Sequence, residues 1–151
     1  MGKFWIKFAA IFVAVFAVDQ IIKFVFLNGF RWDGEFFSLI LTFNKGVAFS
    51  MFAFLDEWLK ILQLVLIIAL FIYLVYQKEL LHEHWVAFAL LLGAGSSNLL
   101  DRFIHSGVVD YVFWHKWFEF AVFNFADVMI NLAVAIIFIQ ILIEYKRKKA
   151  K

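Results

Sequence analysis

Neither cysteine nor proline occurs anywhere in the chain of 151 residues. Without cysteine, disulfide bracing and thiolate chemistry are excluded, and nothing can be read about redox compartment. Without proline, any break in a helix has to come from Gly, Asn or Asp. Charge is scarce too: 17% of residues are charged against 66% hydrophobic, and the mean hydropathy is +0.90. A soluble domain of this length needs far more polar surface around its core. No polar stretch is long enough to fold alone, so the composition predicts one integral membrane domain over residues 1–151. The net charge is only +2, and five of the fourteen basic residues lie in the last six positions. That is a charged tail rather than a nucleic-acid-binding face.

What remains is four apolar runs. The first 18 residues resemble a signal peptide, with Lys3 and Lys7 ahead of an apolar stretch and Val15-Phe16-Ala17 as a cleavage-like site. Apolar sequence resumes after Asp19-Gln20, however, and residues 8–27 are long enough to cross ~30 Å of hydrocarbon at ~1.5 Å per residue. An uncleaved first membrane helix is expected. Residues 58–76, 85–100 and 128–143 make three more spans, the last two being only ~24 Å long as helices. Their bounding polar residues, Asn98 and Asp127, are therefore expected at or just inside the membrane boundary.

With the N-terminus inside, the inner segments carry eight basic residues and the outer ones four. The positive-inside rule then places both termini in the cytoplasm and the connections 28–57 and 101–127 outside. In the first connection, residues 35–43 and 47–52 flank Asn44-Lys45-Gly46, which predicts a hairpin of two apolar strands. The inner connection 77–84 is short. There is no internal repeat, linker or low-complexity segment.

Several polar groups interrupt this lipid-like background. Asp19 and Lys23 are four residues apart, so they share a helix face and can pair inside the membrane. Ionisable groups there mark function or an ion pair that only fixes packing. Asn98 and Arg102 likewise share a face at the end of the third span. An acid at a helix C-terminus opposes the dipole, so Asp101 is expected to have a partner such as Arg102 or Lys23. Arg102 also fits plain interfacial anchoring. Gly93-Ala-Gly-Ser-Ser upstream offers a small-residue face for close helix approach. Asn124 with Asp127 three residues on is a capping-box-like start to the last span.

Residues 107–127 carry two acids, Asp110 and Asp127, one near each end of an aromatic-rich connection. If they converge on one water they cannot easily both ionise. One then keeps a proton while the other acts as base, as in aspartic proteases, and the pair titrates as a unit. His82-Glu83-His84 lacks the spacing of a zinc-binding helix motif, and no metal site is expected. Neither a Ser-His nor a Ser-Lys arrangement stands out for nucleophilic catalysis, and a Gly-rich phosphate loop is absent.

Five motifs follow one another along the chain: Asp19-Gln20-Ile-Ile-Lys23, Asn44-Lys-Gly46-Val-Ala48-Phe49-Ser50, Asn98-Leu-Leu-Asp101-Arg102, Val108-Val-Asp110-Tyr111 and Phe123-Asn124-Phe-Ala126-Asp127. In this order they resemble the lipoprotein signal peptidases, the signal peptidase II family. The resemblance implies a membrane all-α fold with four transmembrane helices and a small β-like extracytoplasmic cradle. It also implies an aspartyl endopeptidase of the bacterial inner membrane that cuts prolipoproteins just before the lipid-modified cysteine of the lipobox. The positions matching the catalytic pair are Asp110 and Asp127. Those matching site-lining, substrate-binding residues are Asp19, Lys23, Asn44, Gly46, Asn98, Asp101, Arg102 and Asn124. Where the family usually has Gly-Gly-Ala-x-Gly-Asn, this chain has Ala94 and Ser97 in place of two glycines, and a looser helix approach is expected there.

The expected partners are a diacylglyceryl-modified prolipoprotein and membrane lipid, with the chain acting as a monomer, with no nucleic acid, and with no metal or organic cofactor. The site is expected at the outer face, covered by the hairpin and by residues 114–123. Two other readings are a small proton-coupled carrier, with Asp19, Lys23, Asp101 and Asp127 as relay, and a scaffold subunit whose ionic groups only fix packing. Four spans without an inverted repeat argue against the carrier.

Overall fold

The computed structural model describes residues 2–46, 53–55 and 57–149. Three described helices are long and apolar enough to cross a membrane: α1 (Gly2–Leu27), α2 (Glu57–Tyr76) and α5 (Phe125–Lys149). Their outward residues, such as Ile21, Phe24, Leu66, Ile72, Val134 and Phe138, are exposed and apolar, as surfaces facing hydrocarbon are. α1 runs unbroken through Asp19 and Gln20, so the two apolar halves of the N-terminal segment form one helix. The inner connection holds a short helix, α3 (Lys78–Glu83).

α4 (Trp85–His105) is the centre of the bundle and packs against α1, α2 and α5. Its sequence explains that position. Ala87, Ala89, Ala94 and Ser97 are fully buried, and such small side chains let neighbouring backbones come close. The closest approach is at Gly93, where an added Cβ would stand 2.7 Å from the Phe12 carbonyl oxygen of α1. The looser approach expected from Ala94 and Ser97 is not what this interface shows. Ala94 belongs to a core cluster with Val15 of α1 and Ala126 and Ala133 of α5. α4 also continues past the expected boundary at residue 100, so Asp101 and Arg102 lie in its last turns, before Ser106 ends it in a left-handed conformation with φ 56°. α5 likewise starts before residue 128 and carries its helix into the basic tail.

Outside the bundle lies a three-stranded antiparallel sheet in the order β1 (Trp32–Asp33), β2 (Phe37–Asn44), β3 (Val108–Trp114). The strand expected over residues 35–43 exists, but its described partners are β1 and β3 rather than a following hairpin strand. Residues 47–52, the expected second half of that hairpin, lie outside the described residues. Asn44-Lys45-Gly46 does form a local turn, with the Gly46 N–H donating to Asn44 Oδ1 at 3.0 Å. The connection over residues 107–127 is likewise partly strand. After β3 the chain returns and pairs again at Val112 and Phe123, which exchange N–H···O bonds of 2.9 and 3.1 Å. That bridge sets Asn124 and the start of α5 directly beside Asp110.

Candidate active site

Asp110 and Asp127 arrive from different elements and face one cavity of about 640 Å³. Asp110 sits on β3 opposite Thr42, and Asn44 is opposite Val108, two residues away on the same face of the sheet. That diagonal lets Asn44 Nδ2 donate to Asp110 Oδ2 at 3.1 Å. Asp127 lies in the first turn of α5. Its Oδ2 accepts the Asn124 N–H at 3.1 Å while its own N–H donates to Asn124 Oδ1 at 2.9 Å. This is the expected capping box, with Asp in place of the longer acid.

Asn124 is also the physical link between the acids. Its buried amide donates to Asp110 Oδ1 at 2.7 Å, to Asn98 Oδ1 at 3.1 Å and to the Val109 carbonyl at 3.3 Å. Asn98 Nδ2 in turn donates to Asp127 Oδ1 at 3.0 Å. Each carboxylate is therefore held by amides that cannot themselves titrate. Burial first, and the neighbouring Asp127 charge second, push the Asp110 carboxyl up to about 7; hydrogen bonds from Asn44 and Asn124 and the Lys23 charge oppose this. A carboxyl poised there supplies both protonation states near neutral pH.

The remaining predicted residues divide into two groups. Asn44, Asn98 and Arg102 line the cavity with the two aspartates. Arg102 is fixed by Nε donating to Gln63 Oε1 at 2.9 Å and by a hydrogen bond to the Gly46 carbonyl. Gly46 acts through its backbone in this way and does not line the cavity.

Asp19, Lys23, Asp101 and Asn124 do not line the cavity either; they are buried behind it. Lys23 Nζ lies 2.6 Å from Asp19 and 2.7 Å from Asp101, so both the expected pair within α1 and the expected partner for Asp101 are present. The same ammonium donates to Asn98 Oδ1 at 2.7 Å. Asp19 Oδ1 accepts the Ala126 N–H at 2.9 Å, and Asp101 Oδ2 accepts the Val109 N–H at 3.0 Å. These are the residues immediately before Asp127 and Asp110.

Sequence reasoning passed over several members of the network. Ser97, one of the two glycine replacements, donates to Asp19 Oδ2 at 2.7 Å and accepts from Gln20 Nε2 at 2.9 Å. Gln20 also donates to Asp101 Oδ1 at 2.9 Å. Tyr111 stacks on Phe26 with ring centroids 4.2 Å apart, and its hydroxyl accepts the Phe125 N–H at 2.9 Å. Gln63 and Asn131 both line the cavity. The available signal for Gln63 was an amide in the otherwise apolar run of α2, and for Asn131 its i+4 spacing from Asp127.

Apart from these polar groups the cavity is apolar, with Leu59, Leu62, Leu66 and Ile130 on its helical walls and Phe120 and Phe123 from the returning loop. The arrangement can hold an apolar chain against two coupled carboxyls. Among the described residues, no group of three or more His, Asp or Glu is arranged to hold a metal ion.

A family model for signal peptidase II matches residues 11–143. The chain is 58% identical over 147 residues to a lipoprotein signal peptidase of Campylobacter jejuni, covering 97% of this chain and 94% of the relative. It is 55% identical over 136 residues to that of Wolinella succinogenes, covering 90% and 93% of the two chains. For that of Helicobacter pylori the identity is 48% over 150 residues, covering 99% and 96%. A solved bacterial membrane enzyme superposes with a TM-score of 0.81 at 25% identity, covering 96% of this chain and 93% of the other.

Proposed function

The chain belongs to the signal peptidase II family, and on that premise we propose that Asp110 and Asp127 are the catalytic pair of an aspartyl endopeptidase that removes signal peptides from prolipoproteins. The cut falls before the lipid-modified lipobox cysteine. The observation that carries the assignment is that both carboxylates reach one largely apolar cavity and are tied to one buried residue, Asn124, which holds Asp110 through its side-chain amide and Asp127 through its backbone N–H.

Hydrolysis proceeds without a covalent intermediate. The ionised member of the pair takes a proton from a water held between them, and that water attacks the scissile carbonyl carbon. The protonated member donates to the carbonyl oxygen as the tetrahedral centre forms. Arg102, Asn44 and Asn98 orient the substrate backbone around that centre. The apolar walls accept the signal segment and the acyl chains, and they limit the water that reaches the acids.

The same reading carries an arrangement in the membrane. α4 is the fourth span, a less apolar helix shielded by the other three, and both termini lie in the cytoplasm. The protein is a monomer of the bacterial inner membrane, with the sheet and the acids at the outer face. Asp19, Lys23 and Asp101 hold the site from behind instead of touching substrate, which departs from the substrate-binding role that the motif resemblance implies.

The test is to express Asp110→Asn and Asp127→Asn separately and to supply a diacylglyceryl-modified precursor. Both variants are expected to lose processing. Near wild-type turnover by either one overturns the pair assignment, and equal processing of an unmodified precursor overturns the lipid dependence.

A further inference from the structure

Asn131 stands on α5 one turn beyond Asp127, on the same face, and its exposed side chain lines the cavity. An amide on an apolar wall at membrane depth is costly unless its polar atoms find partners. One does: Nδ2 donates to the Asp127 carbonyl at 2.9 Å. Among the described residues, Oδ1 accepts no hydrogen bond.

The other amides lining this cavity have their oxygens engaged. Gln63 Oε1 takes Arg102 Nε, Asn44 Oδ1 takes the Gly46 N–H, and Asn98 Oδ1 takes Lys23 and Asn124. Among the described residues Asn131 alone of these amides offers a free acceptor, about one helical turn, or ~5.4 Å, along α5 from Asp127.

We infer that Asn131 is a substrate-contacting residue whose side-chain oxygen accepts a backbone N–H of the signal-peptide segment. The inference rests on the peptidase reading above. In that orientation α5 runs inward from the outer face, so Asn131 lies on the signal-peptide side of the scissile bond. An extended peptide advances ~3.3 Å per residue, which puts the contacted N–H about two residues before the cut. A hydrogen-bonding side chain there also selects for an unwound substrate, because a helical segment keeps its N–H groups for itself.

The experiment uses the full chain in detergent micelles and a lipid-modified precursor peptide. Backbone amides at each of the three positions before the scissile bond are replaced singly by esters, which removes the donor and leaves the side chain. Affinity is measured in an Asp110→Asn background, with and without Asn131→Leu, so the reading does not depend on turnover. One ester, at or next to the second position, is expected to weaken binding by about three- to tenfold, the range of one neutral hydrogen bond. Asn131→Leu is expected to weaken the all-amide precursor by a similar factor and to add nothing on that ester. Additive losses at every position, or an Asn131→Leu variant that binds the all-amide precursor like its parent, overturn the inference. Turnover by the Asp110→Asn background would instead overturn the pair assignment, and the same affinity cycle is then read with the scissile amide replaced by a non-hydrolysable methylene-amine link.

Discussion

Asp19 accepts the backbone N–H of Ala126 at 2.9 Å, reaching from the first helix to the residue just before Asp127. Asp101 does the equivalent for Asp110, through the Val109 N–H at 3.0 Å. Lys23 stands between the two gripping carboxylates, within 2.7 Å of each. One ammonium therefore fixes the relative position of the two backbone segments that carry Asp110 and Asp127.

Replacing that ammonium should cost more than one ion pair. Lys23→Met leaves two buried carboxylates facing each other without a counter-charge, a change expected to destabilise by about 3–5 kcal/mol. Thermal unfolding in detergent checks it. Restoring stability with Lys23→Met plus Asp101→Asn, while processing stays low, would separate charge balance from positioning. A Lys23→Met variant that melts like wild type contradicts the arrangement.

Asn124→Ala probes the link between the acids. Loss of the cap on α5 alone is expected to lower stability by about 1 kcal/mol. Processing should fall much further, on the order of a hundredfold, because Asp110 loses the amide that orients its carboxylate and the Asp127 N–H loses the Oδ1 that fixes the start of α5 beside it. Parallel melting curves and turnover measurements distinguish the two effects; proportionate losses would make Asn124 a cap and nothing more.

Much of this was legible in the sequence where the interactions are local. The i, i+4 spacing of Asp19 and Lys23, the Asn124-to-Asp127 cap and the need of Asp101 for a cation are all consequences of helix geometry. The pairing of β2 with β3 was not legible. A run of apolar residues announces a strand but not its partner, and these two are separated by three helices, α2, α3 and α4. The division of the polar residues was hidden for the same reason: which of them line the cavity and which brace it depends on how α1, α4 and the sheet meet. Ser97 read as a departure from a glycine pattern, yet its hydroxyl fills a place in the buried network.

The raised Asp110 carboxyl gives a pH signature. Its folded value of about 7 lies above the ordinary 3.8, so between those values the native state holds a proton that the unfolded chain has released. Stability from this group is therefore largest at the acid end and declines as pH rises from about 4 to 7. Asp110→Asn should flatten that slope. Processing should also decline on the alkaline side, approaching about tenfold per pH unit, as the pair loses its shared proton. Melting temperature and kcat/KM followed across pH 4 to 9 test both; a slope that persists in Asp110→Asn assigns it to another group.

Two glycines two residues apart on α4 should respond very differently to alanine. A Cβ on Gly93 would meet the Phe12 carbonyl oxygen at 2.7 Å, and backbone cannot swing aside as a side-chain end can. A Cβ on Gly95 would meet Ile67 Cδ1 at 3.7 Å, an ordinary contact. Gly95→Ala is therefore expected to be neutral or slightly stabilising, through the better helix propensity of alanine. Gly93→Ala must push α1 away from α4, at an expected cost of about 1–3 kcal/mol. The displacement also pulls Asp19 and Lys23 from Ala126 and Asp101, so processing should drop more than unfolding alone predicts. Melting and turnover of the two variants side by side settle it, since equal behaviour would mean that the α1–α4 contact does not hold the site.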